Sequence, residues 1–208
     1  MAVRMKRSRK TAAVLLALVV SAALLTGAIA LAGCGKSSAN PQAQKLIDEA
    51  NGHLKKAAAD IKSLSDFNKA YNSLINGGKI NADTAAKVEA MLEKAKKSEQ
   101  DALSEVKKAK ETLSGVNSLS VSSDMKHYVN MKLDAIGEQE QLLTSELQAM
   151  DLRLEAIKDQ KDGAALDTVL AVEKRISELE QESMQHARNA SELNKEASTF
   201  YQEKKLGK

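Results

Sequence analysis

From residue 41 onward, apolar side chains return at alternating spacings of three and four, the seam of an amphipathic helix that packs along one side. The first run is Ile47, Ala50, Leu54, Ala57, Ile61 and Leu64, interrupted at Asn68 before Tyr71 and Ile75. The second is Val88, Leu92 and Ala95, interrupted at Glu99, then Ala102, Val106, Ala109 and Leu113. The third is Val129, Leu133 and Ile136, interrupted at Glu140, then Leu143, Leu147, Met150, Leu154 and Ile157. The fourth is Val169, Val172, Ile176 and Leu179, interrupted at Ser183 and His186, then Ala190, Leu193, Ala197 and Phe200. Nothing alternates with period two over these lengths, so strands are not expected.

Glycines fall where helix C-termini should lie, at Gly77-Gly78, Gly115 and Gly163. Asn81 or Asp83, Ser122 to Asp124, and Asp162 are the candidate N-caps of the helices that follow. Four helices of about 30–40 residues, each about 45–60 Å long, predict an all-α, antiparallel up-down-up-down four-helix bundle. The repeat is nearer about 3.5 than 3.6, so coiled-coil-like packing is expected. The alternative architecture is two long helical hairpins that complete their burial as a homodimer. With four antiparallel helices, the chain start, the 114–124 loop and the tail from Phe200 to Lys208 share one end. Loops 76–82 and 159–165 form the other.

Composition narrows the chemistry. The 208 residues carry a formal charge of +3, but Arg4, Lys6, Arg7, Arg9 and Lys10 stand before any acid, and Asp48 is the first. From residue 34 onward 26 basic residues face 28 acidic ones, so the helical part has no basic excess with which to hold nucleic acid. One Cys excludes a disulfide framework, and five aromatics without Trp argue against a β-sandwich.

Residues 1–10 are basic and Thr11 to Ala32 are apolar or small, the order of a secretory signal. It ends in Leu31-Ala32-Gly33-Cys34, which resembles the lipobox of bacterial lipoprotein precursors. The resemblance covers residues 1–34 alone. It implies cleavage before Cys34, a diacylglycerol on the Cys34 thiol and a cell-membrane location on the extracytoplasmic face. Two buried acyl chains gain about 0.8 kcal/mol per methylene, enough for stable anchoring. The organisation expected is therefore a signal peptide over 1–33, a lipidated Cys and short tether over 34–41, and a helical bundle over 42–208. Ala30 to Ser37 imitates a Walker A loop, but its first Gly is missing and no strand precedes it.

The interruptions of the seams are the candidate chemistry. Counted from loop centres near residues 119 and 162, Glu99, Glu140 and His186 fall at one height in mid-bundle. Such a layer is similar to ferritin-like carboxylate sites, yet the E-x-x-H pairs of that family are absent. A polar layer also fixes helix register, and a third arrangement turns Met184, Ala187 and Leu142 inward, leaving the polar residues at the rim. His53 and His127 read as surface or helix-end residues, and Lys204, Lys205 and Lys208 beside Phe200 and Tyr201 as a basic end facing headgroups or water. No catalytic set and no cofactor motif is found. The function expected is a non-catalytic interaction or scaffold module at the cell envelope, its protein or envelope partner unspecified. The alternative is a small-ligand or metal carrier using the Glu99, Glu140 and His186 layer.

Overall fold

The computed structural model describes residues 40–75, 82–161 and 166–206. The leader with its lipobox and Cys34, and loop residues 76–81 and 162–165, lie outside the described residues. The chain is all-α, with no strand among the described residues. Helix α1 runs Pro41–Ile75, α2 Ala82–Ser114, α3 Ser123–Lys161 and α4 Leu166–Glu203. A single 3-10 turn, Gly115–Ser118, follows α2.

The helix ends follow from local chemistry. Asn40 is the N-cap of α1: its Oδ1 accepts from the backbone N–H of Gln42 at 3.0 Å and of Ala43 at 3.2 Å. Pro41 then takes the first helical position, where no N–H is needed. Ser122 caps α3, its Oγ accepting from Met125 N–H at 3.1 Å. At the end of α4, Lys205 adopts φ 52°. The N–H of Leu206 reaches the carbonyl of Tyr201 and that of Lys205 reaches Gln202, the paired bonds of a Schellman cap. Gly115 does not supply a left-handed cap to α2. It opens the 3-10 turn, and a Cβ there would stand 3.2 Å from Leu46 Cδ1, so its role is close approach to α1.

The helices pack in chain order, α1 on α2, α2 on α3 and α3 on α4. They share one core, to which all four contribute. In α1 and α2 the described part of the seam lies as the periodicity predicts. Ile47, Ala50, Leu54, Ala57 and Ile61 are buried, as are Val88, Leu92, Ala95, Ala102, Val106, Ala109 and Leu113. Alanine recurs every seven residues on both helices (Ala43, Ala50, Ala57; Ala95, Ala102, Ala109), which lets their backbones approach closely. Full burial of each Ile, Leu or Val between them contributes about 1.5–3 kcal/mol.

In α3 and α4 the buried face is turned from the predicted one. Val129, Ile136, Leu143, Met150 and Ile157 are buried, but Leu133, Glu140, Leu147 and Leu154 are only half-buried. Tyr128, Ala135, Leu142, Ala149 and Ala156 are buried in their stead. Helix α3 therefore buries a broad arc, wedged between α2 on one side and α4 on the other. On α4 the seam runs through Leu179, Ser183, Ala187, Ala190, Asn194, Ala197 and Tyr201.

The shared end is observed. Asn40 Nδ2 donates to the carbonyl of Ser120 at 3.3 Å, and Lys204 Nζ lies 3.7 Å from Asp124. Leu119, Val121, Phe200 and Leu206 pack against the core there. Tyr128 and Tyr201 meet with ring centroids 4.9 Å apart, and Phe200 meets His127 edge-on at 4.8 Å. No described helix is long and apolar enough to cross a membrane.

Candidate functional site

The three residues expected at one height have three separate environments. Glu140 sits at the α2–α3 rim, where Lys110 donates to it at 2.9 Å and Lys107 stands at 3.9 Å. His186 Nδ1 lies 2.7 Å from Glu138, whose same oxygen accepts from Asn189 at 3.0 Å. Glu99 is fully buried. The proposed Glu99, Glu140 and His186 layer is thus not assembled, and the reason is the connection between α2 and α3. The 3-10 turn and the extended residues after it move the centre of that connection several residues past 119. Glu99 meets Glu146 instead of Glu140, a shift of six residues or about 9 Å along the helix. The reading that turned Met184, Ala187 and Leu142 inward and left the polar residues at the rim matches the burial of Ala187, Leu142, Glu140 and His186, but not that of Met184, 40% exposed, or of Glu99, fully buried.

What the fold assembles is a polar stripe on α3 at heptad spacing: Lys132, Gln139, Glu146 and Arg153. Lys132, Gln139 and Arg153 are buried and Glu146 is half-buried. At the shared end Lys132 donates to Asn194 Oδ1 at 2.7 Å, and Asn194 Nδ2 donates to the Ala190 carbonyl at 2.9 Å. Burial lowers the Lys132 ammonium to about 8. Further along, the Oε1 of Gln139 has no hydrogen-bond partner. Ser183 Oγ donates to Glu146 at 3.0 Å, and Arg153 pairs with Glu180. Burial raises Glu180, with Arg153 opposing.

Glu99 completes this group from α2. Neither of its oxygens accepts a hydrogen bond. Desolvation raises its carboxyl well above the usual range; contact with the Glu146 carboxyl adds to this, and Arg153 opposes it. Burial raises Glu146 as well, against hydrogen bonds from Glu99 and Ser183 and the charge of Arg153. A protonated Glu99 donating to Glu146 satisfies both acids, whereas two ionised carboxylates in contact would not.

Outside the stripe, His53 Nδ1 lies 2.7 Å from Glu105, and Lys108 donates to the other oxygen of Glu105 at 2.6 Å. Those two hydrogen bonds, His53 first, hold the Glu105 carboxyl at about 2. Toward the shared end, Met131 and Phe200 floor an open groove rimmed by Glu192, Lys195, Glu196 and Glu203, all exposed and none fixed to orient a ligand. Among the described residues, no three His, Cys, Asp or Glu side chains are placed to hold a metal ion.

Periodicity followed along apolar residues missed Lys132, Gln139, Glu146 and Arg153. Their own seven-residue spacing, one position before the expected seam, is the signal that could have found them. Compared with known proteins, the chain matches no family model, no curated protein and no solved structure.

Proposed function

We propose that the chain is a lipid-anchored lipoprotein on the extracytoplasmic face of the cell membrane, acting as a non-catalytic interaction or scaffold module. The observation that carries this reading is the position of Asn40. It stands six residues after Cys34 in the Leu31-Ala32-Gly33-Cys34 motif, and it is bonded to the same end of the bundle that holds Ser120 and Lys204. Six residues span about 20 Å at most. A diacylglycerol on Cys34 would hold that end at the bilayer, with the opposite helix ends pointing away on helices of 33 to 39 residues. Lys204 and Lys205 would then face the headgroups, where each cation near an anionic surface gains about 1 kcal/mol.

The surface agrees with a presenting role. Over residues 40–61, 85–158 and 171–206, Met184 is the single large hydrophobic residue exposed, so recognition by that part of the surface would run through polar contacts. The unspecified partner is a protein or envelope component reached by the far loops.

Two measurements test the proposal. Mass spectrometry of the native chain should find a diacylglyceryl group on Cys34 at a new N-terminus, and Cys34→Ala should abolish both the group and that N-terminus. An unacylated chain beginning at Met1 would end the anchoring reading. Proximity labelling from an enzyme tag at Gly163 in intact cells should mark extracytoplasmic proteins; labels confined to cytoplasmic proteins would reverse the assignment.

A further inference from the structure

Glu99 occupies a position that the helix repeat reserves for a large apolar side chain. It follows Leu92 by seven residues and precedes Val106 by seven and Leu113 by fourteen, and all three are buried. Glu99 itself is 0% exposed, and both of its oxygens are buried without a donor. An ionised carboxylate in such a place is strongly disfavoured.

Its surroundings decide how it is accommodated. From α3 come Glu146 and Arg153, one heptad apart. From α4 come Ser183, which donates to Glu146, and Glu180, to which Arg153 is committed. On α1, Asp60 acts with Asp101 and Glu105 of α2. With the cation engaged by Glu180, the group left for Glu99 is the Glu146 carboxylate, which can only accept.

We propose that Glu99 is a proton-binding switch in the core: protonated, it donates to Glu146 and ties α2 to α3, and loss of its proton to solvent as pH rises sets two carboxylates side by side and loosens that packing. The sign follows from linkage. Glu99 is raised in the folded chain, so the native state holds a proton that the unfolded chain has released above about 4.5. The stabilisation is complete below that value and is lost as pH rises through the raised one. Glu146 and Glu180, both raised chiefly by burial, add to the same trend, and Arg153 acts against it. The direction is opposite to ordinary acid denaturation. The switch does not depend on anchoring through Cys34.

The test is urea unfolding of the full chain and of Glu99→Gln from about pH 5 to about pH 9, with infrared detection of protonated carboxyl groups. In the wild type the Glu99 contribution should make the unfolding equilibrium constant rise with pH, by up to about tenfold per unit above about 4.5, and level off once Glu99 has titrated. Glutamine keeps the shape and an N–H donor toward Glu146, so the variant should lose the part of this slope that Glu99 supplies and be the more stable protein at the alkaline end. A protonated-carboxyl band should be present in the wild type at neutral pH and weaker in the variant. Equal pH dependence in both proteins would overturn the proposal. So would a wild type lacking that band at neutral pH, the result expected if Glu99 were ionised and paired with a bound cation. Should Glu99→Gln fail to fold, infrared titration of the wild type decides alone.

Discussion

Lys132 of α3 and Asn194 of α4 are joined by a 2.7 Å hydrogen bond across a buried interface, an ammonium held by an amide. Burial has lowered this amine to about 8, so its charge is a burden on the folded state at neutral pH. The pair should nonetheless be harder to break than to replace. Lys132→Met alone strands the Asn194 oxygen and is expected to destabilise by about 1–3 kcal/mol. The double change Lys132→Met with Asn194→Leu should recover that loss or exceed the wild type. Lys132 should also add a contribution to stability that grows between about pH 8 and 10.5, where its unfolded form binds the proton, opposing the Glu99 trend at its alkaline end, and this contribution should vanish in the double variant. Urea unfolding across pH reads all three.

Arg153 is the counter-charge of the interior. It is buried against Glu180 and also acts on Glu99 and Glu146. Arg153→Met should cost about 3–5 kcal/mol, because it leaves acids buried without a cation. Adding Glu180→Gln should return part of that loss, which chemical denaturation of the double variant would show.

How much of this was legible beforehand differs between the two halves of the bundle. In α1 and α2 the apolar residues alone define the buried face, since Ala and large side chains alternate in two clean columns, and the described seam residues lie where periodicity puts them. In α3 the buried arc is broad and includes Lys132, Gln139 and Arg153, which a count of apolar positions passes over. The height at which Glu99 meets α3 departs from the residue count for a different reason. A loop centre taken from residue numbers treats every residue as helical, and the 3-10 turn and extended residues between Gly115 and Ser122 rise differently. The meeting of Glu99 with Glu146 depends on that rise and on the rotation of α3, and neither is written in the seam.

The cap of α4 offers a change with the opposite sign. Lys205 holds a left-handed conformation, φ 52°, that side chains with a Cβ adopt at a cost. Lys205→Gly keeps the Schellman bonds and should stabilise by about 1 kcal/mol. A raised thermal midpoint with an unchanged helical circular dichroism spectrum would show it.

Asn40 does two jobs with one side chain, capping α1 through Oδ1 and holding the Ser120 carbonyl through Nδ2. Asn40→Ala should cost about 0.5–2 kcal/mol. Asn40→Asp keeps the cap and loses the second bond, so its stability should lie between the two, as urea midpoints can rank.

Glu105 provides the acid limb of the stability curve. Its carboxyl is held at about 2 by His53 and then Lys108, so the stabilisation is complete above about 4.5 and is lost as pH falls toward 2. In His53→Gln the Glu105 carboxyl should titrate closer to its ordinary value, as NMR of the side-chain carbon can follow.

The convergence of Asn40, Ser120 and Lys204 also determines how the molecule would bear load. A pull between residues 40 and 206 acts on neighbouring ends, so α1 and α4 would peel away turn by turn at low force. A pull between Asn40 and the opposite tip would run along the helix axes and shear every layer at once. Pulling by those two geometries in a single-molecule instrument should therefore give a low, gradual rupture in the first and a high, abrupt one in the second.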